Sequence, residues 1–340
     1  MPKNNAGPLT LLLVVSSVVL SALWFSTQSS SALVVYCAHD AVYSTEILAE
    51  FERQTGITVE PRFDTEATKS LGLVQLIQRE QAHPQCDVFW NNELLGTLAL
   101  QADGLLEPYR GAGWERMPDR FRDPQGHWVG FGARLRVWIV NTRQMTASTA
   151  DIEQLLELET SRIAMAQPMF GTTLTHYCVL AQTWGLPRLQ QWHAELRRRE
   201  LREVPGNGLV KDLVAAGTCD VGWTDTDDTF VALDAGLPVE MLPIRVADKT
   251  IAIPNTVAII RGTTRRAEAQ QLVDFLTSQA TELRLAKSTA RQVPLGPTTD
   301  EELPADVRPL AKWASDSVDL RDLLPVREQV LNWLREEYAP

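Results

Sequence analysis

Several short polar clusters in this chain fall at strand ends or helix starts, and their side chains suit a charged ligand. The segment Val221-Gly-Trp-Thr-Asp-Thr-Asp-Asp-Thr229 brings together Asp225, Asp227 and Asp228. Carboxylates are hard oxygen donors that can hold a cation, and acidic groups are also favoured at the start of a helix. Arg134 and Arg136 lie two apart on a strand and therefore share one face. A guanidinium matches an oxyanion bidentately, which suits phosphate, phosphonate or carboxylate. Arg134 is the preferred contact, and Arg136 fits a structural ion-pair partner. Gly171-Thr172-Thr173 precede a helix, where backbone N–H groups and the two hydroxyls form an anion seat that is compatible with N-capping. Asn207, between two glycines, reads as a turn residue tolerated at positive φ.

A second set of polar residues follows the opening strands. Ala38-His39-Asp40 and Tyr43 come directly after the apolar run Leu33 to Tyr36, and Asn91-Asn92-Glu93 come directly after Trp90. In open α/β sheets ligands bind at such carboxyl ends. Asn92 also reads as a helix cap, and Tyr43 as an aromatic at the core edge. Cys37 and His39 share a strand face, so a nucleophile or base on this fold is one alternative. No Gly-rich phosphate loop and no HExxH motif accompanies them.

The elements that must position these groups alternate between strand and helix. Leu33 to Tyr36 form a strand covered on both faces. A helix then starts from Asp40 or Ser44, carries Ile47, Leu48 and Phe51 at helical spacing, and stops at Gly56. Residues 57–60, 86–90, 131–141, 162–166, 220–223 and 251–260 read as further strands. Residues 70–80, 94–102, 151–158, 173–184, 189–199, 210–216 and 267–285 read as helices. The fold class is α/β, with mostly parallel sheets and flanking helices. Two long strands, 131–141 and 251–260, bracket a middle block about the size of a small domain. They predict two lobes hinged by crossing strands, able to close on a ligand. Residues 33–135 and 251–290 make up lobe I, and residues 136–250 and 291–340 make up lobe II.

Composition narrows the function. With 43 acidic against 32 basic side chains, the net charge is -11, which disfavours a nucleic-acid partner. Lys3, the apolar run from Leu9 to Phe25 and Ser-Ser-Ala ahead of Leu33 have the layout of a secretory signal over residues 1–32. If retained, the same run is a membrane anchor. Either way the rest of the chain is exported. Four cysteines, Cys37, Cys86, Cys178 and Cys219, are too few for a disulfide scaffold and allow three pairings, none of which the sequence selects.

Taken in order along the chain, these motifs resemble the periplasmic substrate-binding proteins of ABC importers, in the branch of the ferric-iron-binding proteins. The marks are the opening strand with His39, Gln75 to Trp90, Gly104-Leu-Leu-Glu-Pro-Tyr109 and Gly132-Ala-Arg-Leu-Arg136. They continue with Pro168-Met-Phe-Gly-Thr-Thr173, Pro205-Gly-Asn207-Gly208 and Pro254-Asn-Thr-Val-Ala258. The resemblance implies a two-lobed fold and a small ligand, iron(III) with a synergistic oxyanion, delivered to an ABC permease by a periplasmic monomer. It also implies no resident cofactor and no catalysis. His39, Asp225, Asp227 and Asp228 become candidate metal ligands, and Arg134, Thr172, Thr173, Asn207, Asn92 and Tyr43 candidate ligand contacts. The family usually carries adjacent tyrosines where this chain has Asp227 and Asp228. That departure leaves another cation, or an oxyanion such as a phosphonate, as the alternative cargo.

Overall fold

A computed structural model describes residues 32–64 and 71–339. Of the leader expected over residues 1–32, all but the last residue lies outside them. No helix among the described residues is long and apolar enough to cross a membrane.

The chain opens with strand β1 (Leu33–Cys37), helix α1 (Ala41–Thr55) and strand β2 (Val59–Phe63). The apolar spacing in α1 buries Ile47, Leu48 and Phe51 on one face, and Gly56 ends the helix at φ 73 with its N–H donating to the Glu52 carbonyl. Only glycine adopts that left-handed stop without steric cost. Asp40 occupies the cap position without a side-chain capping bond, whereas Ser44 lies inside the helix and donates to the Asp40 carbonyl. Next come α2 (Leu71–Arg79), β3 (Val88–Asn91), α3 (Leu95–Ala102), β4 (Leu106–Glu107) and α4 (Ala112–Arg116).

Strand β5 (Val129–Asn141) then carries the chain into the middle block. That block contains α5 (Thr149–Leu158), β6 (Ile163–Ala166), α6 (Gly171–Trp184), α7 (Leu186–Arg198) and β7 (Arg202–Val204). It continues with α8 (Asn207–Ala215), β8 (Val221–Asp225), α9 (Thr226–Asp234) and β9 (Val239–Pro243). A hairpin, β10 (Arg245–Val246) and β11 (Lys249–Thr250), leads into the return strand β12 (Ala252–Ile260). Helices α10 (Arg266–Leu276), α11 (Gln279–Lys287), α12 (Arg308–Ser315) and α13 (Leu324–Glu337) finish the chain.

The strands order as β2-β1-β3-β12-β5-β8-β6-β7, with β4 on β12 and β9 on β5. Within each lobe the pairing is parallel: β1 with β2 and β3, and β6 with β7 and β8. The crossing strands pair antiparallel to their neighbours. The register shows where the lobes meet. β12 pairs with β5 as far as Ala252↔Leu135, and β8 takes over at Arg136↔Asp225. Both arginines therefore sit where β5 changes partner, the place at which an open α/β sheet leaves a crevice.

Two details differ from the sequence reading. The helix expected over 267–285 is broken at Thr277-Ser278, where the Ser278 hydroxyl accepts from Thr281 N and caps a new helix. Residues of the 291–340 stretch also divide. Val293, Leu295, Val307 and Leu310 pack with Leu33 and Val35 of the first sheet, and α13 packs its Val330, Leu331 and Leu334 with Leu174 and Tyr177 of α6.

Candidate functional site

The crevice is a cleft of about 450 Å³, and His39, Asn92, Arg134, Thr172, Thr173, Asn207, Asp225, Asp227 and Asp228 all line it. Nine of the ten candidate residues thus converge on one space, and Tyr43 stands beside it, its ring centroid 5.9 Å from that of His39.

Asp225 is the hub of the floor. As the last residue of β8 it lies opposite Arg136 in the register, and its carboxylate accepts from four donors. These are Arg136 Nη1 at 2.8 Å, Thr172 Oγ1 at 2.7 Å, Asn207 Nδ2 at 3.1 Å and Arg134 Nε at 3.3 Å. Burial alone would raise its pKa, but Arg136 and then Arg134 outweigh it and hold the group below the ordinary carboxylate range. Arg136 is wholly buried and also reaches Thr172 and Asn207, so it acts as the structural ion-pair partner. Arg134 is 7% exposed, lines the cleft and, among the described residues, donates only through Nε, to Asp225.

Three helices of the middle block begin at this floor: α6 at Gly171, α8 at Asn207 and α9 at Thr226. The first N–H groups of a helix have no partner within it and carry the positive end of its dipole. Thr172 and Thr173 lie inside the first turn of α6 and do not cap it. The Thr172 hydroxyl goes to Asp225, and that of Thr173 goes to Asn207 Oδ1 at 3.3 Å. Asn207 corrects the turn reading. It is the first residue of α8, it is absent from the positive-φ residues, and its amide ties Thr172 to Asp225.

Asp227 and Asp228 occupy the first turn of α9, and their carboxylate oxygens lie within 4.8 Å of those of Asp225. Unlike Asp225, they form no ion pair with an arginine among the described residues. Burial pushes Asp227 up to about 6, against the pull of Arg134, with Asp225 and Asp40 adding repulsion. Burial together with Asp227 and Asp225 pushes Asp228 up to about 8, although the Thr224 hydroxyl donates to it at 2.9 Å. Asp40 also lines the cleft.

The first-lobe edge is held differently. The His39 ring stacks on Trp90 at 5.2 Å, and its Nε2 lies 2.7 Å from Gln292 Nε2. Asn255 donates to Gln292 Oε1 at 2.7 Å, so the amide nitrogen of Gln292 is the donor and His39 Nε2 the acceptor. That network assigns the remaining proton to Nδ1, which faces the Asp40 carbonyl at 3.4 Å. His39 therefore borders the cleft with Nε2 already engaged. Asn92 lines the cleft, whereas the neighbouring Glu93 turns inward. Its carboxylate accepts from Leu95 N, Gly96 N and Asn91 Nδ2, which makes Glu93 the cap of α3 in place of Asn92. Gln292 had no local signal, since it is 253 residues from His39. All four cysteines are free and buried, and burial pushes the Cys37 thiol up to about 12, a poor setting for a nucleophile.

The chain is similar to several known proteins. A family model described as bacterial extracellular solute-binding protein matches residues 33–288. Iron uptake protein A1 of Synechocystis is 22% identical over 258 residues, 72% of this chain and 70% of that protein. The Fe(3+)-binding periplasmic protein of Serratia marcescens is 26% identical over 225 residues, 64% of this chain and 63% of its own. The crystal structure of iron-bound HitA from Pseudomonas aeruginosa superposes with a TM-score of 0.78 at 20% identity, covering 90% of this chain and 98% of that one.

Proposed function

The chain belongs to the bacterial extracellular solute-binding proteins, and from that premise we propose that it captures iron(III) together with an oxyanion and delivers both to an ABC permease. The protein works as an exported monomer in the periplasm, either released from its leader or tethered by it. It makes and breaks no covalent bond in its cargo. The observation that carries the reading is that one cleft is lined both by the clustered carboxylates of Asp225, Asp227 and Asp228 and by the guanidinium of Arg134.

Hard carboxylate oxygens suit a small, highly charged cation. Asp227 and Asp228 hold the cation, with Asp225 behind them. Asp225 contributes position more than a lone pair, because four donors already engage it. The oxyanion sits on Arg134 Nη groups and the N-terminal turns of α6 and α8, with Thr172, Thr173 and Asn207 around it. His39, Tyr43 and Asn92 form the opposing edge that closes over the pair. Iron is supported by the names of the two relatives above.

Thermal unfolding of chelator-stripped protein tests this. Fe³⁺ supplied as citrate or with phosphate should raise Tm in a concentration-dependent way, because a ligand that binds only the folded state stabilises it by RT ln(1 + [L]/Kd). No gain with either form of iron would sink ferric cargo. A gain with phosphate alone, or with a divalent cation alone, would instead assign the alternative ligands to the same cleft.

A further inference from the structure

The loop 288–293 contacts His39 at the first-lobe edge of the cleft and the helix α9 that carries the cleft carboxylates, and the geometry points to Arg291 as the positioning residue that sets the gape of the cleft. Two ladder bonds fasten the loop to the hinge strand, Val293 N to Ala133 O at 2.7 Å and Ala133 N to Val293 O at 2.8 Å, one residue from Arg134. On the first-lobe side, Gln292 meets His39 Nε2 at 2.7 Å, and Thr289 stands beside the Tyr43 hydroxyl. On the other side, Arg291 grips α9. Its Nη1 donates to Asp234 Oδ2 at 2.8 Å and its Nη2 to Asp234 Oδ1 at 2.7 Å, while Nε donates to Asp306. The guanidinium also lies over the Phe230 ring, 4.7 Å from its centroid.

Asp227, Phe230 and Asp234 fall three and four residues apart, on one face of α9. Arg291 thus holds the far end of the helix whose first turn carries the cleft carboxylates, and the next residue holds the opposing histidine. An ordinary half-exposed ion pair contributes little and is free to rearrange. This one is bidentate, shares a third bond with Asp306 and stacks on a ring. It also keeps a non-glycine backbone at φ 45, a left-handed conformation that persists only where surrounding contacts impose it.

The inference rests on reading this cleft as the binding site, and its test is chosen to work without cargo. Spin labels at Gln54→Cys on α1 and Leu158→Cys on α5, both exposed, report the separation of the lobes in the full chain by pulsed electron resonance. The native cysteines are buried. The stripped protein should give a narrow distance distribution. In Arg291→Ala it should lengthen and broaden, and in Arg291→Lys it should stay broad, since an ammonium cannot span Asp234 and Asp306 in one plane. Asp234→Asn, which keeps the shape of the pair without its charge, should shift in the same direction and carries the test if Arg291→Ala fails to fold. Fe³⁺–citrate binding should weaken about tenfold in parallel. If Arg291→Lys and Asp234→Asn both reproduce the parent distribution, Arg291 is a structural ion pair only and the proposal is overturned. A shifted distribution in a protein that binds no iron would leave the positioning role intact and remove the ferric reading alone.

Discussion

Replacing Asp228 by asparagine should stabilise the ligand-free protein, and only above a definite pH. Asp228 titrates near its ordinary 3.8 in the unfolded chain but is pushed up to about 8 in the folded one by burial, Asp227 and Asp225. Between those values the folded state holds a proton that the unfolded state has lost. Stability therefore falls as pH rises through the window, the reverse of a salt-bridged carboxylate. At pH 7 the full effect would be about 4 kcal/mol, at about 1.4 kcal/mol for each tenfold change in proton activity. The side chain is only partly buried by area, and its neighbours relax, so about 2 kcal/mol is the working magnitude. Asparagine keeps an oxygen to accept from Thr224 and carries no charge. For a chain of this size the gain corresponds to roughly 4 °C in Tm. The assay is thermal unfolding of chelator-stripped parent and Asp228→Asn from pH 4 to pH 8.5. The two curves should coincide near pH 4 and separate steadily above it. A variant less stable than the parent at pH 8, or a difference independent of pH, would refute the electrostatic account of the acidic edge.

Other expectations follow from the same floor. Arg136→Met strands the buried Asp225 carboxylate and should cost about 3–5 kcal/mol in urea unfolding, whereas Arg134→Gln, at the cleft surface, should cost far less and abolish the dependence of cation binding on phosphate or citrate. Equal losses from the two variants would contradict the division between floor and face. Thr172→Ala removes the 2.7 Å donor to Asp225 and should cost about 1 kcal/mol by denaturant titration; no loss would mean the hydroxyl points elsewhere in solution. The native protein should show no fast-reacting thiol toward a disulfide reagent, and four after denaturation; a fast native thiol would reopen an enzymatic role for Cys37.

The cleft was legible in the sequence because its residues sit where local rules apply. Leu33–Cys37 and the Ile47, Leu48, Phe51 spacing announce a strand and the helix that packs on it, so the turn carrying His39 follows. The alternation that puts Arg134 and Arg136 on one face is equally local. What each group does was less legible. Asn207 reads as a turn residue from its two glycines, yet Thr172 and Asp225 recruit its amide into the floor. Asn92 reads as a cap, but the longer Glu93 side chain reaches Leu95 N and Gly96 N first. The partner of His39 comes from Gln292, and only tertiary packing brings that loop back to β5. α12 and α13 did have a signal, in Leu310 with Ala314 and in Val330, Leu331 and Leu334. Pro309 and Pro325 at their first turns mark starts, not interruptions.

The central claim is that one cleft takes a cation on Asp227 and Asp228 and an oxyanion on Arg134. Native mass spectrometry with metal analysis, on protein isolated from its own envelope, tests it most directly. The account predicts one iron and one small oxyanion per chain, both lost in Asp227→Asn/Asp228→Asn protein. Protein that carries neither metal nor anion, or whose bound iron survives that double substitution, would contradict it.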